Sequence, residues 1–69
     1  MSAKEQHEKL WAMLTKIEES NRPAAARLTS EFGADVGYSQ CGLCFGVADV
    51  EANPALFDDL ESAMEEILS

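Results

Sequence analysis

Two cysteines separated by two residues, Cys41-Gly42-Leu43-Cys44, have the greatest chemical potential in this sequence. A thiol pair at that spacing can close a redox disulfide, supply half of a tetrahedral zinc site or hold part of an iron–sulfur cluster. Each chemistry makes further demands. A redox pair needs a strand leading in and a helix starting at the motif, because a helix N-terminus lowers the thiol pKa. Tyr38-Ser39-Gln40 reads as strand, but Phe45-Gly46-Val47-Ala48-Asp49-Val50 does not read as helix. A structural zinc ion takes four ligands, and beyond Cys41 and Cys44 the chain offers His7 alone. Zinc would then bridge two hairpin tips, with four thiolates from a homodimer. The first expectation is no resident cofactor and two reduced cysteines packed as small hydrophobes, the usual state of free cysteine. Zinc at Cys41 and Cys44, or dithiol redox chemistry, is the competing reading.

Catalysis finds little support. His7 falls in an apolar stripe with no group in sequence to orient it as a base, so it reads as a packed or partly exposed residue. The pairs Asp58/Asp59 and Glu65/Glu66 are consecutive, so on a helix they diverge instead of converging on one point. No glycine-rich phosphate loop or nucleotide fingerprint is present. The chain is therefore expected not to be an enzyme.

The charge distribution says more. Residues 1–27 carry all five basic residues against four acids, a net +1, whereas residues 28–69 carry nine acids and no base, a net −9. A net charge of −8 argues against phosphate-backbone binding, which requires clustered Lys and Arg. A protein partner with a basic surface is the natural complement, since opposite fields steer encounter. The candidate contacts are Asp58, Asp59, Glu61, Glu65 and Glu66, with Asp49 and Glu51 in the segment before them. Trp11 and Met13 sit beside or off the core stripe of the first helix and are candidate apolar contacts. These features point to a small acidic protein-binding module, an inhibitor or adaptor that occupies a basic surface of a nucleic-acid-binding partner. Small anti-defence inhibitors encoded by phages share its size and charge; the likeness is one of composition only.

Sixty-nine residues make a single domain, and a chain this short has a thin stability margin. No apolar run is long enough to span a membrane, and Met1-Ser2-Ala3-Lys4-Glu5 lacks the core of a secretion signal, so a cytoplasmic protein is expected. The punctuation predicts an α+β domain of order α-α-β-β-α, its helices packed on one face of a β-hairpin. Ser2 with Glu5 fits a capping box, and Ala3, His7, Leu10, Leu14 and Ile17 draw one stripe, so a helix is predicted from Ala3 to Glu19. Glu5 and Lys9 are spaced as a favourable helical ion pair. A second helix is predicted from Pro23 to Phe32, stopped by Gly33. Alternating apolar residues then predict strands over Asp35–Gln40 and Leu43–Val50, with Cys41-Gly42 at the turn and Gly46 at a bulge or close helix contact. Asn53 and Pro54 open the last helix, Pro54 to Leu68, which is apolar on one broad face and acidic on the other.

Overall fold

The computed structural model describes residues 2–40 and 42–69. The described chain is mostly helical, with one small antiparallel hairpin, in the order α1 (Ala3–Ser20), α2 (Arg22–Val36), β1 (Tyr38–Ser39), β2 (Gly42–Leu43), α3 (Val47–Ala52) and α4 (Pro54–Leu68). The predicted order holds except that an additional helix, α3, stands where the second strand was expected to continue.

Helix α1 forms as its sequence dictates. The Ser2 hydroxyl accepts the Glu5 N–H at 3.2 Å, satisfying one of the donors a helix start leaves open. Leu10, Leu14 and Ile17 from the predicted stripe are buried. Asn21 ends α1 by donating its N–H to the Ile17 carbonyl and begins α2 by accepting the Ala24 N–H on its side chain. Pro23 lies in the first turn, where its missing N–H costs nothing.

Helix α2 runs beyond the predicted stop at Gly33. Gly33 is helical and buried, with the Tyr38 side chain lying against it. The stop comes at Gly37, whose φ of 113° only glycine adopts readily. Its N–H donates to the Gly33 carbonyl at 2.8 Å. The additional turn buries Val36.

Both predicted strands are shorter than expected. Asp35 and Val36 belong to α2, and Val47 to Val50 belong to α3. Tyr38 pairs with Leu43 and Ser39 with Gly42, and the Cys44 N–H extends the pairing to the Gly37 carbonyl at 3.0 Å. The period-two pattern is real as far as Phe45, since Leu43 and Phe45 are both buried and Cys44 between them is exposed. It ends at Gly46. There the Asp49 carboxylate accepts the Gly46 N–H at 2.8 Å, and the Asp49 and Val50 N–H groups reach back to the Gly46 carbonyl, which starts α3. Val50 is then buried one turn after Val47.

The core gathers one stripe from every helix. Leu10, Leu14 and Ile17 of α1 join Leu28 of α2, Val50 of α3 and Phe57, Leu60 and Met64 of α4, with Leu43 and Phe45 contributed by the hairpin and the segment after it. Each large side chain withdrawn from water in this way contributes about 1.5–3 kcal/mol. Two polar contacts set α4 beside α1: the Gln6 amide donates to Asp58 Oδ1 at 2.9 Å, and Lys9 Nζ lies 3.5 Å from Glu61 Oε2. The paired positions advance together, so the two helices run side by side in one direction. Asn53 starts α4 through its backbone carbonyl, which accepts the Phe57 N–H at 3.2 Å; its side chain makes no capping bond. No helix among the described residues is long and apolar enough to cross a membrane.

Candidate functional site

The acidic residues fall into three environments. Asp58, Asp59, Glu65 and Glu66 are exposed on α4. Asp58 and Glu65 stand seven residues apart, as do Asp59 and Glu66, so each pair lines up along the axis about 10 Å apart, two turns of helix. The neighbouring columns diverge by roughly 100°. The four carboxylates therefore form a ridge two columns wide along the solvent side of α4. No basic residue occupies the last turn of α4, so Glu65 and Glu66 add to the negative end of the helix dipole.

Glu61 has a different environment. Its side chain is only 20% exposed, one oxygen faces Lys9, and the other, Oε1, is buried with no hydrogen-bond partner among the described residues. Glu61 thus belongs to the α1–α4 seam, and the expected Glu5–Lys9 spacing gives way to this longer-range ion pair. Asp49 is committed to holding the start of α3 through Gly46, while Glu51 is exposed on the same short helix. Asp58 carries the Gln6 amide but stays exposed.

The apolar candidates are held more tightly than their sequence positions suggest. Trp11 is half-buried and stacks on Phe45, with ring centroids 5.2 Å apart and planes 17° from parallel. Phe45 in turn contacts Phe57 at 5.3 Å, which links Trp11 to the core of α4. The indole N–H donates to His7 Nε2 at 2.8 Å. Met13 is half-buried and packs against the core. Both residues therefore offer partial surface only. The most exposed aromatic among the described residues is Tyr38, at 68%, which its place in an alternating strand pattern does not single out.

The cysteine motif divides. Cys41 lies outside the described residues. Cys44 is free and exposed, contrary to the expectation that it packs inside, because its neighbours Leu43 and Phe45 take the inward positions of the extended segment. No group of three or more His, Cys, Asp or Glu residues that could hold a metal ion occurs among the described residues.

Two clefts lie among the described residues. One, of about 800 Å³, opens between α1, α2 and the hairpin, with Leu14, Ala25 and Leu43 in its lining and Glu18, Glu19 and Arg22 among its charged groups. The other, of about 320 Å³, lies between α2 and α4 and brings Arg27 and Glu31 to the flank of the ridge at Glu66. Sequence reasoning missed both, since each arises from how helices meet and not from any local pattern. No protein-family model, curated protein or solved structure matches the chain.

Proposed function

We propose that this chain is a small acidic protein-binding module that acts without catalysis, as an inhibitor or adaptor, by laying the α4 ridge on a basic surface of a nucleic-acid-binding partner. One observation carries the reading: Asp58, Asp59, Glu65 and Glu66 stand exposed together on a helix whose opposite face is committed to the core. A ridge of this kind mimics the closely spaced negative charge that basic clefts are built to receive, and its field steers encounter over distances of about a Debye length. Its residues can be changed without touching Phe57, Leu60 or Met64.

The test uses the double substitution Asp59→Lys with Glu65→Lys, which leaves the Gln6–Asp58 contact in place and moves the net charge from −8 to −4. Wild-type protein is used to capture partners from a host lysate, and the captured proteins are identified and purified. Charged groups at an interface rim act mainly on the association rate and its salt dependence. The variant should retain the wild-type circular dichroism spectrum, associate more slowly with the captured basic partner and show a flatter response to salt. An association rate equal to wild type at low ionic strength would sink the reading and leave the acids as a solvated surface.

A further inference from the structure

His7 Nε2 has two neighbours that no single protonation state can serve. The Trp11 indole nitrogen, a donor only, lies 2.8 Å away, and the Phe45 carbonyl oxygen, an acceptor only, lies 3.1 Å away. With its proton on Nδ1, the imidazole accepts the indole N–H on its one Nε2 lone pair and has no proton to offer the Phe45 oxygen. With a proton on Nε2, it donates to Phe45 and the indole N–H loses its acceptor. All three rings are in contact: His7 meets Trp11 edge-on at 6.1 Å and Phe45 at 5.6 Å, and Trp11 stacks on Phe45.

We propose that protonation of His7 works as a hydrogen-bond exchange: the neutral ring holds the Trp11 indole, and the imidazolium releases it and takes the Phe45 carbonyl. The charged form must carry a proton on Nε2, so the exchange follows from the valence of the nitrogen. A charge-assisted bond to the carbonyl is stronger than the neutral bond it replaces, which favours the switch over a compromise geometry. The consequence is directional. Phe45 leads straight into Gly46, the start of α3, so the charged state ties α1 to that junction. Trp11 is half-buried, and its freed N–H can turn to water. Around His7, α1 carries Lys4, Glu5, Glu8 and Lys9; the elements that meet it carry Cys44 beside Phe45, Asp49 and Glu51 on α3, and Asp58, Asp59, Glu61, Glu65 and Glu66 on α4.

The experiment follows wild-type protein by NMR between about pH 5 and 8, the span in which histidine charge changes operate. Because the chain has one histidine and one tryptophan, the ring resonances of His7 and the indole N–H resonance of Trp11 are each unique. The expected result is an upfield shift of the indole N–H on acidification, with the same midpoint as the His7 ring, and neutral His7 showing the Nδ1–H tautomer. The His7→Gln variant, which does not titrate, should lose the shift. An indole resonance that stays still while His7 titrates, or moves with a different midpoint, overturns the proposal. So does a shift that survives in the variant. The wild-type titration decides the matter even where the variant does not fold.

Discussion

Replacing Gly37 with alanine should destabilise the domain, whereas the same change at Gly33, four residues earlier, should not. Gly37 joins α2 to the hairpin with φ 113° and ψ 148°, close to a region that side chains other than hydrogen almost never occupy. Holding an alanine there costs about 1–3 kcal/mol before any contact is counted. The contact adds to it, since the new Cβ would stand 2.9 Å from the Cys44 carbonyl oxygen, a backbone atom tied into the hairpin. Neither Gly37 nor Cys44 can move without stretching the 3.0 Å bond between the Cys44 N–H and the Gly37 carbonyl. At Gly33 the backbone is helical, and alanine recovers about 1 kcal/mol of helix propensity. Its Cβ would stand 3.0 Å from Cδ1 of Tyr38, but that ring is exposed and can shift by a few tenths of an ångström. For a domain of this size, about 2 kcal/mol lowers the melting temperature by roughly 8–16 °C. Thermal unfolding followed by circular dichroism should place Gly37→Ala that far below wild type and Gly33→Ala level with it or slightly above. Equal losses in the two variants, or a Gly37→Ala protein melting within two or so degrees of wild type, would refute the assignment of the α2 stop.

Leu60, fully buried on α4, should cost about 2–5 kcal/mol on replacement by alanine, enough to leave a domain with so thin a margin largely unfolded, and urea denaturation will show a near-normal midpoint if the core has been misassigned. Purified protein should carry no stoichiometric metal; elemental analysis finding about one zinc per two chains would instead favour a dimer joined through Cys41 and Cys44.

The helices that could be read from the sequence are those whose caps and stripes agree. Ser2 with the Leu10–Leu14–Ile17 stripe, and Pro54 with Phe57, Leu60 and Met64, each signal one answer locally and receive it. The α2 stop was misplaced because a glycine inside a helix and a glycine ending one look alike in sequence; the difference is the positive φ at Gly37, which the turn into Tyr38 requires. The third helix was hidden by an accident of phase. Leu43, Phe45 and Val47 continue a strand-like alternation, while Val47 and Val50 are also spaced for one helical face, and the deciding signal is Asp49 three residues after Gly46, a carboxylate placed to hold that N–H. Among the acids, the amphipathic pattern of α4 pointed to exposed carboxylates there but could not separate Glu61 from the rest, since its environment depends on Lys9, 52 positions away in the chain. The environment of His7 was likewise out of reach, because Phe45 lies 38 positions away and approaches it only once α2 and the hairpin have brought the chain back.

The pairing of α1 with α4 also sets the order in which the protein can be completed. Gln6 waits for Asp58, 52 residues later in the chain. At synthesis rates of about 5–20 residues per second, that is a delay of roughly 3–10 s. During it, Leu10, Leu14 and Ile17 have α2 and the hairpin for company but lack Phe57, Leu60 and Met64, so part of the apolar stripe stays open to water and to other chains. Closing the core is therefore a late event that joins the first helix made to the last, and the half-built domain presents its stickiest surface just before it becomes safe.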